Sequence, residues 1–260
     1  MGASCSCVSK GRQFEVYLTK AVKTKESIAR SVAEMDVKPE VVRTDLLKYL
    51  ISNQKEMQPK LQVLFQKAIS FPKEGLSAFD LDRCSLKDSD WAHFSTLILY
   101  GQQATSLHIT QVLLTLSGLD FVCSYLELLR KLQDLSLSGT GLGCYPLQSL
   151  AAAIKHLRRL RKLDLSENEL NSEHMEIIAP GLPSSLQECE FSHNEIEDRG
   201  CAVLAPFLAD LAALRVLGLC ENAVSETGKL LLQVGAKNEA LQIWTEGPRP
   251  SDIRKEMNAQ

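Results

Sequence analysis

The chain lacks any apolar run of about 18 residues, so no membrane-spanning helix is expected. Its first residues hold no apolar h-region, and no secretory signal is expected either. The eight cysteines, at positions 5, 7, 84, 123, 144, 189, 201 and 220, never fall in C-x-x-C spacing. That argues against a disulfide framework or a zinc site and for a reduced, cytosolic chain with buried thiols. H-E-x-x-H, G-x-S-x-G and G-x-x-x-x-G-K-[ST] are all missing. Gly139, Gly141 and Gly143 make GTGLG, but Cys144 stands where a nucleotide loop needs its last glycine, so the segment reads as a tight turn. The five histidines are scattered, with His156 and His174 reading as surface residues. Cys189 occupies an apolar core position and Cys220 flanks a strand, neither beside an evident base. No catalytic residue, metal or cofactor is expected, and the chain reads as a non-enzyme. Hydrophobic residues at 45% and charged residues at 23% suffice for a solvent-facing surface over a sizeable core.

What the sequence does have is an internal repeat. The template L-x-x-L-x-L-x-x-N-x-L is matched by Leu132, Leu135, Leu137, Thr140 and Leu142. It returns at Leu160, Leu163, Leu165, Asn168 and Leu170, at Leu186, Cys189, Phe191, Asn194 and Ile196, and at Leu214, Leu217, Leu219, Asn222 and Val224. Two degenerate copies precede these, on Leu76, Phe79, Leu81, Cys84 and Leu86 and on Ala104, Leu107, Ile109, Val112 and Leu114. A truncated copy begins at Leu241 with Trp244 as its next apolar position. The spacings between starts are 28, 28, 28, 26, 28 and 27. Each L-x-L is a short strand whose leucines share one side. Each later half changes to helical spacing, as in Leu147, Leu150, Ile154 and Leu157 or Val203, Leu204, Phe207, Leu208 and Leu211. One unit cannot bury its own apolar face, whereas stacked units share a core. The pattern predicts an α/β solenoid over about 76–245, with a curved parallel sheet inside, helices outside and six to seven repeats.

The 28-residue period with a full helix resembles the ribonuclease-inhibitor class of leucine-rich repeats, which includes the repeat regions of intracellular immune receptors. The asparagine ladder of that class is complete at Asn168, Asn194 and Asn222, and Cys84 and Thr140 are tolerated substitutes. Val112 departs from it and leaves the regularity of the second repeat open. Extracellular members usually carry cysteine-rich caps, which this chain does not display. The resemblance implies a protein-binding surface.

Ahead of the repeats, residues 14–75 read as a helical cap. Pro39 and Pro59 can open helices with apolar stripes on Val42, Leu46, Leu47, Leu50 and Ile51 and on Leu61, Leu64, Phe65, Ala68 and Ile69. Residues 246–260 read as a partly disordered tail. Residues 1–13 read as a flexible, acylated start. MGASCSC places Gly2 and Ser6 in the myristoylation template, and Cys5 and Cys7 can take palmitoyl groups. One myristoyl chain binds membranes only marginally, so a second anchor matters. Lys10, Arg12, Lys20, Lys23, Lys25 and Arg30 against Glu15 and Glu26 leave +4 in residues 1–30 and −7 in the rest, which favours an anionic inner leaflet for this end. The start resembles those of dually acylated signalling proteins such as Src-family kinases and G-protein α subunits.

Strand alternation points Asp80, Asp82, Asp134, Asp164, Glu167, Glu188, Glu190 and Glu221 into the concavity, with Arg83, His108, Gln111, Lys162 and His193 among them. Such a face attracts a basic protein segment and repels nucleic acid. Aromatic anchors are scarce on it. The expectation is a membrane-tethered adaptor on a cytoplasmic surface that binds a protein and no small-molecule substrate. The alternatives are a soluble enzyme inhibitor or a GTPase-activating regulator.

Overall fold

The computed structural model describes residues 39–70 and 76–247. Gly2, Cys5, Cys7 and the basic cluster lie outside the described residues, as does the tail after Gly247. Helices α1 (Pro39–Asn53) and α2 (Pro59–Ser70) come first, and each begins at a proline, whose missing N–H would have had no partner in a first turn. Then strands and helices alternate: β1 (Ala78–Asp80), α3 (Asp88–Tyr100), β2 (Ser106–His108), α4 (Leu116–Leu126), β3 (Asp134–Ser136) and α5 (Gln148–Lys155). They continue with β4 (Lys162–Asp164), α6 (Ser172–Ile178), β5 (Glu188–Glu190), α7 (Asp198–Leu208), β6 (Val216–Gly218), α8 (Glu226–Gly235) and β7 (Gln242–Trp244).

The strands form one parallel sheet in the order β1-β2-β3-β4-β5-β6-β7. Its central line runs Phe79, Leu107, Leu135, Leu163, Cys189, Leu217 and Ile243, each directly paired with the next. Six of these, from Phe79 to Leu217, are buried, as are Leu81, Ile109, Leu137, Leu165, Phe191 and Leu219 two residues on. Each helix from α3 to α8 lies between consecutive strands and packs on its neighbouring helices. Strands stand about 4.8 Å apart and packed helices about 8–10 Å, so the stack bends with the sheet on the inside.

One open point is settled and one expectation is corrected. The second repeat is regular: β2 pairs with both neighbours without a slip, because Val112 exchanges the ladder's polar contact for full burial. The last copy is shifted by one residue. Leu217 pairs with Ile243, so Trp244 leaves the core row and pairs with Gly218. In a strand a one-residue slip moves a side chain to the opposite face. Ile243 and Leu241 pack against the core, while Trp244 turns to the open face, half-buried.

Helices α1 and α2 close the front of the core. Leu46, Leu50, Met57, Leu61, Leu64 and Phe65 join the same apolar cluster as the repeats. Tyr49 stacks on Phe65 with ring centroids 5.4 Å apart, and its hydroxyl meets His93 Nδ1 of α3 at 2.9 Å. Gln58 N–H donates to Asp90 Oδ1 at 3.1 Å, and Lys60 Nζ donates to the Asp82 carbonyl. The helices of the repeats are fastened by side-chain caps. Thr115 Oγ1 accepts from Gly118 N–H at the start of α4, and Asn171 Oδ1 accepts from Glu173 N–H and His174 N–H at the start of α6. His174 Nδ1 accepts from Asn171 N–H in return, which requires an unprotonated Nδ1, and partial burial lowers the His174 pKa to match.

Candidate functional site

Alternation along each strand leaves two rows of side chains on the face opposite the core. The first runs Ala78, Ser106, Asp134, Lys162, Glu188, Val216 and Gln242, and the second Asp80, His108, Ser136, Asp164, Glu190, Gly218 and Trp244. Five of the acids expected on this face (Asp80, Asp134, Asp164, Glu188 and Glu190) therefore lie on it side by side. Asp82 follows two residues after Asp80 and accepts from Thr110 Oγ1 at 2.7 Å. Glu167 and Glu221 stand at the end of their strands, where the backbone turns.

That turn was not legible as a pattern. One residue before each ladder position the chain adopts positive φ: Arg83 (49°), Gln111 (54°), Gly139 (65°), Glu167 (58°), His193 (55°) and Glu221 (54°). Only one of the six is glycine, the residue that meets the conformation without a side-chain penalty. The side chains leave the sheet plane at the rim, and Gln111 Nε2 reaches Glu167 Oε2 at 2.8 Å across Gly139.

The face is a connected polar surface. His108 Nε2 lies 3.4 Å from Asp134 Oδ1, and its pKa is raised, chiefly by that hydrogen bond and against the effect of burial. Lys162 Nζ lies 3.3 Å from Glu188 Oε2. Ser136 Oγ donates to Asp164 Oδ2 at 3.1 Å, and Ser166 Oγ lies 2.6 Å from Asp164 Oδ1. Glu190 is buried and accepts from Ser192 N–H and Ser192 Oγ. Its carboxylate spreads over Gly218 on the next strand, filling the space a Cβ there would need. Glycine at 218 thus sets Glu190 and, one strand further, Trp244 in a line. Sequence reading missed Trp244 because it aligned the last copy on Leu241. The signal was the L-x-I alternation of Leu241 and Ile243, with Ile243 26 residues after Leu217 as Cys189 is after Leu163.

Beneath the rim lies the asparagine ladder. Asn168 Oδ1 accepts from Thr140 N–H at 2.9 Å and Leu142 N–H at 3.3 Å, while its Nδ2 donates to the Leu137 and Leu165 carbonyls. Asn194 Oδ1 accepts from Asn168 N–H and Leu170 N–H at 3.0 and 2.9 Å, and its Nδ2 donates to the Leu165 and Phe191 carbonyls. Asn222 repeats the pattern on Ile196 N–H and the Phe191 and Leu219 carbonyls. Thr140 Oγ1 and Cys84 Sγ keep the inward bond, to the carbonyl three residues back, at 2.7 and 3.1 Å, and Thr140 Oγ1 also lies 3.1 Å from Asn168 Oδ1 of the next repeat. Every amide thus ties its own strand to the one before it.

The fold is a leucine-rich-repeat solenoid.

No family model matches the chain. It is 25% identical over 228 residues to mouse NACHT, LRR and PYD domains-containing protein 4E, covering 83% of this chain and 22% of that protein. It is 30% identical over 172 residues to human NACHT, LRR and PYD domains-containing protein 5, covering 64% and 14%. Pig ribonuclease inhibitor is 26% identical over 175 residues, covering 64% and 37%. The chain spans about a fifth of the length of the first of these curated relatives. Among solved structures, an internalin C2 from Listeria monocytogenes has 20% identity and a TM-score of 0.38, covering 70% of this chain and 84% of that one.

In this solenoid five of the six thiols among the described residues are core groups. Cys84, Cys123, Cys189, Cys201 and Cys220 are buried and unpaired, whereas Cys144 is exposed. Burial pushes the Cys123 thiol up to about 12 and Cys201 to about 11, and raises Cys189 strongly. A thiol held protonated is a poor nucleophile. Gly139 and Gly141 both sit at positive φ in the turn after β3, and Gly143 abuts the Asn168 and Glu169 backbone, so GTGLG is occupied by its neighbouring repeat. Among the described residues no group of three or more His, Cys, Asp or Glu could hold a metal ion, and no helix is long and apolar enough to cross a membrane.

Proposed function

We propose that the chain is a leucine-rich-repeat scaffold that holds a basic segment of a partner protein on its acidic sheet face, and that acyl groups on Gly2, Cys5 and Cys7 keep it at the cytoplasmic side of a membrane. The observation that carries the first half is the unbroken register. It sets Asp80, Asp134, Asp164, Glu188 and Glu190 on one face, with Asp82, Glu167 and Glu221 along its rim. Like charges gathered on a broad surface raise the encounter rate of an oppositely charged ligand and fix its register more than they raise affinity. Trp244 adds the kind of large, half-buried aromatic group that supplies binding energy at protein interfaces. The relatives support the reading at the level of the scaffold, since ribonuclease inhibitor is by name a protein that acts on another protein.

The second half rests on MGASCSC and the basic residues from Lys10 to Arg30. Function then lies in concentrating a partner at a surface. Metabolic labelling with alkynyl myristate is expected to mark the wild type and not Gly2→Ala, and hydroxylamine-sensitive palmitate is expected on Cys5 and Cys7. An unlabelled wild type would end the membrane half. Affinity purification from membrane fractions, comparing the wild type with Asp134→Asn/Asp164→Asn/Glu188→Gln, tests the acidic face. Partners retained equally by both would remove it. The match to ribonuclease inhibitor favours one second reading, a soluble inhibitor that covers the active site of a basic enzyme. Wild-type protein found wholly in the soluble fraction and bound to such an enzyme would select it.

A further inference from the structure

Helices α3 to α8 return to the sheet through one kind of turn, at the strands' N-terminal rim, opposite the rim of positive φ. In it an N–H donates to the carbonyl three residues back: Ala104 to Gly101, Leu132 to Leu129, Leu160 to Leu157, Leu186 to Pro183, Leu214 to Leu211 and Leu241 to Asn238, at 2.9–3.1 Å. The two central residues are Gln102 and Gln103, Arg130 and Lys131, Arg158 and Arg159, Ser184 and Ser185, Ala212 and Ala213, and Glu239 and Ala240. Side chains so different in one turn show that its backbone asks for no particular one, so the four cations are not there to make the turn. They stand on neighbouring rungs, since β3 pairs with β4, about 4.8 Å apart. Leu129, Leu132, Leu157 and Leu160 are buried, which turns Arg130, Lys131, Arg158 and Arg159 outward, and all four are exposed. Lys155 and Arg161, also exposed, extend the patch, and residues 155–162 (KHLRRLRK) contain no acid. Among the described residues none of these six cations makes an ion pair. The acids that flank the first turn in sequence are Glu127 and Asp134, and Asp134 is engaged by His108. Like charges on adjacent rungs repel, a cost that a bound anion offsets.

We infer that this rim is a docking surface for an anionic lipid leaflet, on which Arg130, Lys131, Arg158 and Arg159 meet headgroup phosphates with the strands' N-terminal ends toward the membrane. This rests on the reading of the chain as a membrane-surface protein, and adds to its acyl groups a contact within the folded repeats. The turns stand along an edge of the solenoid, where a plane of phosphates can meet both rungs at once. Nucleic acid fits less well. Neither turn carries Phe, Tyr or Trp on which a base could stack, and the acidic sheet face begins beside them at Asp134. An acidic peptide would find no free strand edge, because β3 and β4 are each paired on both sides, and no large exposed apolar side chain in either turn. Docked by this rim, the acidic face stands upright on the leaflet instead of lying against it, open to a partner.

Co-sedimentation of the unacylated full chain with vesicles is the test. The wild type is expected to bind phosphatidylcholine vesicles that contain about 30% phosphatidylserine, not phosphatidylcholine alone, and to be released by high salt. Arg158→Gln/Arg159→Gln is expected to weaken binding about 25-fold, at about fivefold for each cation held at the surface. Gln102 and Gln103 fill the same two places in the first of these turns, so the variant keeps the turn, and its melting temperature is expected to equal or exceed that of the wild type. Lys48→Gln/Lys55→Gln removes the same charge from exposed positions on and just after α1, and is expected to bind like the wild type. An equal loss in both variants would reduce the patch to net charge and overturn the inference. So would a wild type that ignores the phosphatidylserine vesicles, an Arg158→Gln/Arg159→Gln variant that binds them unchanged, or polyuridylate or nona-glutamate preferred to them in competition. The comparison reads the rim apart from the lipid anchor. A chain that takes up myristate but shows no rim effect keeps its anchor and loses this surface. One that takes up none yet binds through Arg158 and Arg159 loses the anchor and keeps the surface.

Discussion

Asn194 shows how much one side chain does in this fold. Its amide satisfies two N–H groups of the preceding repeat and carbonyls on both strands, all in the buried interior. Asn194→Ala strands these groups away from water, and the expected cost is about 3 kcal/mol in urea denaturation. Thr140→Val removes the hydroxyl's contacts with the Leu137 carbonyl and Asn168 Oδ1 and leaves the Thr140 N–H bond to Asn168 in place, with an expected loss of about 1 kcal/mol. His108 makes a pH prediction. Its pKa is raised in the folded chain, so the pair with Asp134 contributes its full stability below the unfolded histidine value, near 6.5, and loses it as pH rises through the raised value. Melting temperature is therefore expected to fall from about pH 6 to pH 8 in the wild type relative to His108→Gln, and a constant difference would refute the pair. The ladder asparagines were readable from the sequence because only a short amide both donates and accepts at that spot. The positive-φ row before them was not, because five of its six members are ordinary L-residues held there by the ladder bonds of their neighbours.

At the scale of elements, what the sequence disclosed was the strands. Their alternation is short and every central residue is apolar, so Leu135, Leu163, Cys189 and Leu217 could be aligned by spacing alone. Helix limits were less legible. Leu147 and Leu157 bracket α5 without belonging to it, and Leu211 lies beyond α7, because apolar residues continue in the turns that lead back to the sheet. The last strand was misaligned by one residue, since Leu241, Ile243 and Trp244 are all apolar and only the pairing with Leu217 distinguishes them. Close helix contacts were also invisible. A Cβ on Gly235 would lie 2.3 Å from the Ala205 carbonyl oxygen, and one on Gly181 would lie 2.6 Å from that of Ala151. Each blocks a backbone rather than a flexible side chain, so Gly235→Ala has to push α8 off α7. The expected loss is about 1–3 kcal/mol, confined to the last repeat, which circular dichroism would register as a low-temperature shoulder before the main transition.

For the molecule as a whole, each repeat touches mainly its neighbours, and stability is close to a sum of local and interface contributions. Helices α1 and α2 bury the front of the core, whereas β7 pairs with a strand on one side only among the described residues. Native-state hydrogen exchange is expected to protect β3–β5 most and β7 least, with the amides of β7 opening by local fraying. Equal protection from β3 to β7 would contradict this one-dimensional picture. The chemistry of the outer ends, Gly2 with its cysteines and the cations after Gly247, is legible only as composition and motif.

The straight rows of the sheet also set a vernier for any strand-like ligand laid across them. Rungs recur at a pitch of about 4.8 Å, whereas extended peptide advances about 3.3 Å per residue, so three residues of ligand keep step with two rungs. A partner that crosses this sheet therefore returns to the same phase at every third residue. The cations it brings to Asp134 and Glu188, two rungs apart in one row, are expected three residues apart along its sequence, a grammar that a peptide library scanned against the folded chain would read out directly.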